Sequence, residues 1–409
     1  WWKSTPRVPK PLFSRMPASS LHILFLVSWY PNRNAPVLGN FIRRHAEAAA
    51  LRHKISVVYA CSGENVAEGK TEVQLSSAGN LTECIVYYGK VRSTTPVIAQ
   101  VKKRSVYREA MKEGIRLVRE KNGRADILHV HVIWPAVHAA LPLLEETDIP
   151  LVISEHWSGY LPEDGNYRGV LLKFFSTKLA EKARHITVVS SRMKDAMLAH
   201  GFRNSFSILP NCADETVFFP AEKKENGKIK LLHVSMLVDR EKNVSGMLRA
   251  MKRFEKNHDI SLHIIGDGPE RQTHEETARR LSLLQKNVFF HGLKNSAEIA
   301  QEMRTSDALL LFSHFEGMPV TIIEAQLCGL PVIATKTGAI PDMVRSTEGM
   351  LVDPADEEQL FNAILSFAAK KNDYDRAAIS RRAMENYSVD AVSRHLDSIY
   401  QNVMTHGGA

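Results

Sequence analysis

The sequence has few cysteines and no long apolar run, and both scarcities limit what the protein can be. Its four cysteines, spread over 409 residues, form no Cys-x-x-Cys pair. We therefore expect free thiols in a reducing cytoplasm, with neither a disulfide framework nor a cysteine metal site. The apolar run nearest the amino terminus, LHILFLV, is too short to span a bilayer. It predicts a first buried strand, with a signal peptide as the alternative.

Charge is plentiful but unevenly divided between the two halves of the chain. Residues 1–213 carry 29 Lys and Arg against 17 Asp and Glu, whereas residues 214–409 carry 24 against 28. A basic first half predicts an anionic partner for that half. Charge alone leaves three interpretations open, which are nucleic acid, an anionic membrane surface and a solvated basic face.

Short apolar runs alternate with helix-like segments along the whole chain, which predicts parallel sheets with helices on both faces. The polar segment LPNCADETVFFPAEKKENGK, with two prolines, predicts a domain edge. We expect residues 1–20 to be an extension without regular structure, and Met16 is a candidate for the natural start of the protein. A first doubly wound α/β domain is expected over 21–210 and a second over 211–385. A terminal helix over 386–409 should pack back on the first domain, and ligands should bind in the cleft between the domains.

The stretch SHFEGMPVTIIEAQLCG carries two glutamates, Glu316 and Glu324, eight positions apart. Gly317 permits a tight turn, and Pro319 suits the first position of a helix. The second acid lies inside an apolar helix, where a carboxylate needs hydrogen-bond donors. Paired hydroxyl groups of a sugar or a ribose would supply them. The alternative is that the first acid caps the turn and the second forms a surface salt bridge.

A second loop, in LHIIGDGPERQ, places Gly266 and Asp267 between a predicted strand and a predicted helix. Glycine there lets the backbone approach a phosphate at the helix N-terminus. The signal is weak, because any tight strand–helix turn favours glycine.

Longer stretches resemble one known family. The two-glutamate motif resembles the Glu, seven residues, Glu signature of the family-4 retaining glycosyltransferases with the GT-B fold, in which two Rossmann-like domains face each other across a cleft. SILPNCADETVFFP resembles the interdomain segment of that family, and LLHVSMLVDREKNVSGMLRA resembles the opening of its second domain. SWYPNRNAPVLGNFIRRHAEAAA resembles the opening of lipopolysaccharide- and capsule-type members. The resemblance runs from about Leu21 to the end of the chain.

The resemblance implies roles for individual residues. Glu316 would hydrogen-bond the donor sugar, and Glu324 would take the ribose hydroxyls of the nucleotide. Lys242 matches the phosphate-binding lysine of the family. The family's arginine beside it is replaced by Met236, and Arg240 in the same loop is the candidate substitute. The phosphate and the sugar of the donor would contact the backbone amides of Gly317, Met318 and Val320.

In the first domain, PLVISEHWSGY places Glu155 and His156 just after a predicted strand. His156 matches the family's active-site histidine, which faces the donor sugar; a core or capping histidine is the alternative. In DILHVHVIWPA, His129 and His131 alternate along a strand, so both side chains should face one way, and His131 is expected on the acceptor side. Gly39 stands where many relatives carry a glycine pair and would permit close approach of the acceptor or a phosphate.

The segment from Val101 to Lys121 predicts a basic amphipathic helix, either with a solvated face or docked on an anionic membrane. No carboxylate pair in the motifs suggests a bound divalent metal, so no metal and no cofactor are expected.

The resemblance implies a cytoplasmic, metal-independent enzyme that moves a sugar from a nucleoside diphosphate to a glycan or a lipid-linked glycan, with no nucleic-acid partner. The nucleotide base is left open among UDP-, GDP- and ADP-sugars. A sugar-nucleotide epimerase of the same fold and a noncatalytic nucleotide-sugar-binding protein are the alternatives, and a dinucleotide-dependent oxidoreductase is a more distant one.

Overall fold

The computed structural model describes residues 20–91, 95–222, 227–256 and 259–405. Apart from Ser20, the extension expected at the amino terminus lies outside the described residues. Among the helices that the structure describes, none combines the length and the apolar character needed to span a bilayer.

The first domain is built on a sheet of eight strands. They are β1 (His22–Val27), β2 (Lys54–Ser62), β3 (Thr71–Ala78), β4 (Leu81–Tyr88), β5 (Ile127–His131), β6 (Leu151–Glu155), β7 (Ala183–Val188) and β8 (Phe206–Ile208). Their order is β3–β4–β2–β1–β5–β6–β7–β8, and all neighbours are parallel except the β3–β4 hairpin. The run that predicted a first buried strand is β1, whose six residues are all buried, as expected for a central parallel strand.

Five helices accompany this sheet. They are α1 (Asn40–Ala50), α2 (Pro96–Asn122), α3 (Ile133–Glu146), α4 (Val170–Glu181) and α5 (Ser191–Ala199), with a 3₁₀ turn at Ser158–Tyr160.

The second domain contains a sheet of six parallel strands. They are β9 (Ile229–Val234), β10 (Ile260–Ile265), β11 (Val288–Phe290), β12 (Ala308–Leu311), β13 (Val332–Thr335) and β14 (Gly349–Val352), in the order β11–β10–β9–β12–β13–β14. Its helices are α6 (Asp239–Lys242), α7 (Val244–Lys252), α8 (Arg271–Arg280), α9 (Ser296–Thr305), α10 (Val320–Leu327), α11 (Ile340–Met343), α12 (Glu357–Lys370) and α13 (Arg376–Tyr387), with a 3₁₀ turn at Lys371–Asp373. A further helix, α14 (Val389–Thr405), follows α13.

The prediction of two doubly wound α/β domains is therefore confirmed. In each sheet the strand order reverses direction at the first strand of the domain. β1 lies between β2 and β5, and β9 lies between β10 and β12. In open α/β sheets, the crevice outside the carboxyl ends of the strands at such a point is where ligands bind.

The last helix of the chain, α14, packs on the first domain against α1 and β7. Its inward face carries Leu396 and Tyr400, both fully buried. The Tyr400 hydroxyl lies 2.8 Å from Nδ1 of the buried His129. The chain thus returns to the first sheet, beneath the strand that carries His129 and His131.

The structure corrects one expectation about α2. The apolar stripe of this helix does not face solvent, because Ala110, Met111 and Val118 are buried against β2 and β4. Docking of that stripe on a membrane is therefore wrong. The basic residues on its other side stay on the surface.

We predict that Tyr400→Phe destabilises the protein by about 1–3 kcal/mol, because the change leaves Nδ1 of His129 buried without its partner. Urea unfolding measures the free energy. Tyr88→Phe, which alters a partly exposed tyrosine on β4, is the control. Equal losses for the two variants would contradict a structural role for this hydrogen bond.

Candidate active site

The loop that carries Glu316 is held by close backbone packing. Gly338, at φ 52°, lies so near that a Cβ on it would come 2.0 Å from the Glu316 carbonyl oxygen. The Ala339 amide donates to the Gly317 carbonyl at 2.8 Å, and the Thr335 hydroxyl donates to the Ser313 carbonyl at 2.7 Å. No side chain larger than hydrogen fits at position 338, so the geometry of this loop depends on that glycine.

The Glu316 carboxylate is already partly used within the protein. Its Oε1 accepts hydrogen bonds from Lys242 Nζ at 2.8 Å and from Ser313 Oγ at 2.7 Å. Its other oxygen, Oε2, accepts from no group in the part of the chain that the structure describes. The proposed sugar-binding acid and the proposed phosphate-binding lysine therefore lie in direct contact, with one carboxylate oxygen left for a ligand.

Arg240 lies beside the same loop. Its guanidinium carbon is 5.7 Å from the centre of the ring of Phe315, the residue that directly precedes Glu316. Met236, at the position where the family arginine is expected, is 59% exposed. The structure thus brings a second cation to the loop that carries Glu316, while the methionine lies on the surface after β9.

Glu324 differs from Glu316 in having no protein partner. Its carboxylate is half-buried on α10, and no donor or cation of the described residues bonds to it. Burial raises the pKa of Glu324 to about 8, and the positive charge of Arg44, on α1 of the first domain, opposes part of that rise. The expected alternative of a surface salt bridge is wrong for this residue.

The turn before α10 and the first residue of that helix present free amide groups. Within the described residues, the N–H groups of Gly317, Met318 and Val320 have no hydrogen-bond acceptor. The Met318 carbonyl, in contrast, accepts from Asn211 Nδ2 at 3.0 Å, which ties this turn to the segment between the domains. Free amides at a helix N-terminus attract an anion such as a phosphate.

The loop after β10 has its own structural reason for glycine. A Cβ on Gly266, at φ 139°, would come 1.8 Å from the Ser235 carbonyl oxygen, so the loops after β9 and β10 pack backbone against backbone. The Asp267 carboxylate accepts from the amide of Gly268 at 2.8 Å. A phosphate contact of Gly266 and Asp267 stays a prediction.

The two domains meet where the first sheet places His156. A Cβ on Gly317 would lie 3.5 Å from the His156 carbonyl oxygen. The His156 side chain is 8% exposed, and burial holds its pKa well below the usual range. The imidazole is therefore neutral near pH 7, and its Nδ1 is buried without a partner among the described residues.

On the same edge, Gly39 begins α1 at φ 64°, and a Cβ on it would come 2.6 Å from the carbonyl carbon of Trp29.

His131 is not on an open acceptor surface. It is fully buried, and its Nδ1 lies 3.5 Å from Nε2 of His156. Its ring centre is 4.1 Å from that of His129, which confirms that the two histidines share one face of β5. The expectation that His131 contacts an acceptor is therefore corrected, since the residue stands behind His156.

One group of side chains in this region could hold a metal ion. His45, His131 and His156 are buried, and one nitrogen of each lies within 4.8 Å of the others. Nε2 of His45 donates to the Pro210 carbonyl at 3.0 Å, which leaves its Nδ1 with a lone pair. Three neutral imidazoles are suitable ligands for zinc or a similar ion. The sequence motifs did not indicate this cluster, because the three histidines come from separate elements.

Glu155 also has a different role from the acceptor-side role that was expected. It is 1% exposed, and its two oxygens accept from the amides of Ile133, His156 and Trp157 and from the Tyr160 hydroxyl. With four donors already bound, no oxygen is left for an acceptor. This carboxylate instead fixes the loops after β5 and β6, and with them the position of His156.

Sequence reasoning missed several residues at this site. Ser313, Asn211 and Arg44 belong to segments whose motifs named other residues. His45 lies on the buried face of α1, three positions after Ile42, and that spacing was the signal that could have found it. The sequence also contains one Asp-x-Asp triplet, at 373–375, in which Asp375 caps α13 by accepting from the Ala378 amide.

Two family models match the chain. Residues 38–217 match the model described as Glycosyltransferase Family 4, and residues 214–388 match Glycosyl transferases group 1. Together they span most of the chain, including every candidate residue named above.

Individual relatives agree with the models. A glycogen synthase of Mycobacterium tuberculosis is 24% identical over 88% of this chain and 88% of its own. An N-acetyl-alpha-D-glucosaminyl L-malate synthase of Bacillus anthracis is 28% identical over 68% of this chain and 75% of its own. The structure of HepE from Anabaena in complex with UDP-glucose superposes with a TM-score of 0.67, at 16% identity, over 93% of this chain and 100% of that one. The fold is thus GT-B, and neither the epimerase nor the noncatalytic alternative is favoured.

We predict that Glu324→Gln stabilises the protein without ligand, and that the gain grows with pH. The folded protein keeps the Glu324 proton up to about pH 8, whereas an unfolded chain releases it near pH 4.5. Stability of the wild type therefore falls across that window, by up to about 1.4 kcal/mol per pH unit for this group. Chemical unfolding at several pH values measures it, with the exposed Glu276→Gln as control. A difference between Glu324→Gln and wild type that does not change with pH would contradict the raised pKa.

Proposed function

The chain belongs to the family-4 glycosyltransferases, and on that premise we propose that it transfers a sugar, with retention of anomeric configuration, from a nucleoside-diphosphate sugar to a hydroxyl of a glycan or lipid-linked glycan. The observation that carries the proposal is the contact between Lys242 and Glu316 beside the free amides of α10. A cation, an anion and unpaired N–H groups meet there at one point. A sugar diphosphate presents complementary groups, phosphate next to sugar hydroxyls.

The two glutamates take different parts of the donor. Glu316 Oε2 accepts from a hydroxyl of the sugar, while Lys242 and the amides of Gly317, Met318 and Val320 bind the diphosphate. Glu324 lacks a protein partner and holds its proton in the free protein up to about pH 8; when the nucleotide binds, it releases that proton and accepts from both ribose hydroxyls. Binding thus supplies the hydrogen-bond donors that this carboxylate lacks in the free protein.

Departure of the diphosphate builds negative charge on its oxygens and positive character at the anomeric carbon. Lys242, Arg240 and the α10 amides stabilise the negative charge as it develops. His156 is neutral, so it orients the sugar by hydrogen bonding and does not add a second positive charge beside the anomeric carbon. The acceptor attacks from the face that the diphosphate leaves, and a phosphate oxygen receives the acceptor proton.

We propose that no metal ion or cofactor takes part. In this proposal two cationic side chains and three amides bind the diphosphate and stabilise its charge, a task that a divalent cation can also perform. The cluster of His45, His131 and His156 makes this a testable point.

The acceptor belongs to cell-surface polysaccharide synthesis in this proposal, and the reaction takes place in the cytoplasm. The support is the similarity of the first strand–loop–helix to lipopolysaccharide- and capsule-type members. The four cysteines are unpaired, as in a reducing compartment.

A donor screen followed by product analysis tests the function. Thermal shift with UDP-, GDP- and ADP-sugars should identify one donor, since a ligand at 100 times its Kd stabilises by about 2.7 kcal/mol. With that donor and an acceptor, NMR should show the anomeric configuration of the donor in the product, and EDTA should leave the rate unchanged. An inverted product would contradict retention, and loss of activity with EDTA would point to the histidine cluster.

We further predict that Glu324→Ala weakens binding of donor and of free nucleoside diphosphate alike, whereas Glu316→Ala spares the free nucleotide and lowers donor turnover. Each lost charged hydrogen bond should cost about 1.5–3 kcal/mol. Calorimetry with nucleotide and with donor separates the two effects, and Glu276→Ala, on the exposed face of α8, is the matched control. Equal losses of nucleotide affinity in both variants would overturn the assignment of roles.

A further inference from the structure

Five large apolar side chains are exposed near the starts of two helices of the first domain, a set we call the apolar rim. They are Ile98 and Val101 on α2 and Val170, Leu171 and Phe174 on α4, with exposed fractions between 51% and 84%. Single exposed apolar residues are ordinary, but several on neighbouring helices mark a surface that meets something apolar. None of the five belongs to the buried stripe of α2.

The two halves of the apolar rim lie on either side of the start of α3, and Val101 of α2 lines the same groove as Phe175 of α4. The Arg104 guanidinium carbon is 5.7 Å from the ring centre of Phe175 on α4 and 5.9 Å from that of Trp134 on α3. Next to it, α2, α3 and α4 enclose a groove of about 450 Å³, lined by Arg104, Phe175 and Lys178 among others.

The position of the apolar rim follows from the direction of the strands. β4 precedes α2, and β6 precedes α4, and both strands run parallel to β1 and β5. The helices therefore begin at the carboxyl edge of the first sheet, the edge that also carries His156. The apolar rim lies along the same side of the domain as the candidate active site.

The charge around the apolar rim is basic. Lys102 and Lys103 on α2 and Arg168 and Lys173 at α4 are exposed, and none of the four has an acidic partner among the described residues. The nearby acids are occupied: Glu109 lies by Arg108, Glu145 by Lys178 and Glu163 by Arg192. Exposed apolar side chains flanked by unpaired Lys and Arg are complementary to an anionic lipid surface, with apolar atoms among the acyl chains and cations at the headgroups.

We propose that the apolar rim and its four basic residues dock this protein on an anionic lipid bilayer, so that the candidate active site opens toward a lipid-linked acceptor. The proposal rests on the proposed glycosyl transfer and names the surface from which the acceptor enters. The docking surface thus consists of exposed residues at the starts of α2 and α4, and not of the apolar stripe of α2, which is buried.

Flotation of the full chain with vesicles tests the docking. Wild type should bind vesicles of phosphatidylglycerol and phosphatidylcholine at low salt, and binding should weaken as salt screens the charges. The variant Lys102→Gln/Lys103→Gln/Lys173→Gln should bind ~100-fold more weakly, since each basic charge at an anionic surface contributes about fivefold. Val170→Ser/Leu171→Ser/Phe174→Ser should also lose binding. All these residues are exposed, so the fold should stay intact.

Matched controls separate the surface from net charge and from general apolarity. Arg279→Gln/Arg280→Gln/Lys286→Gln removes the same charge from the second domain, and Val73→Ser/Leu75→Ser alters exposed apolar residues on β3. Both controls should bind vesicles like wild type. Equal binding to pure phosphatidylcholine, or unchanged binding of the rim variants, would overturn the proposal.

Donor turnover, measured with a soluble acceptor, distinguishes failure of the membrane docking from failure of the proposed transferase function. The rim variants should keep wild-type turnover, because no residue of the donor site is changed. Turnover by a wild type that ignores anionic vesicles would overturn the docking and leave the transferase function standing. Vesicle binding without turnover of any nucleotide sugar would overturn the proposed function instead.

Discussion

Backbone atoms of the two domains meet at Gly317, and the candidate site depends on that approach. The position of a Cβ at this residue is 3.5 Å from the His156 carbonyl oxygen, and Gly338 packs on the same loop from the other side. Because no side chain separates these segments, the first turn of α10 can face the edge of the first sheet directly. The free amides, Glu316 and His156 thereby border one space.

The two carboxyl groups that border that space differ in how the protein compensates their charge. Glu316 is compensated by Lys242 and Ser313, whereas Glu324 has a carboxylate that burial keeps from ionising readily. A polar group left half-buried without donors destabilises the free protein. A ligand with two neighbouring hydroxyls would remove that penalty, which is why we propose that a ribose binds there.

The first domain has two groups of apolar residues near basic side chains, and the structure buries one group and exposes the other. Along α2 the apolar stripe belongs to the core, where it covers β2 and β4. At the starts of α2 and α4, apolar side chains and unpaired cations are exposed at the carboxyl edge of the first sheet. Part of the positive balance of the first half of the chain is thus exposed at this edge.

The sequence by itself determined the strand–helix alternation, the two domains and the two-glutamate motif, because periodicity and local turn chemistry are properties of neighbouring residues. It did not reveal β3, whose residues are all exposed although Val73 and Leu75 alternate with polar residues, nor did it reveal β4 or β14. Periodicity predicted one apolar face on α2 but not what covers it. Only the tertiary structure decided that His45, His131 and His156 converge, that Glu155 is saturated and that Lys242 meets Glu316. Those contacts join residues far apart in the chain, and their distances depend on how the two sheets and their loops pack.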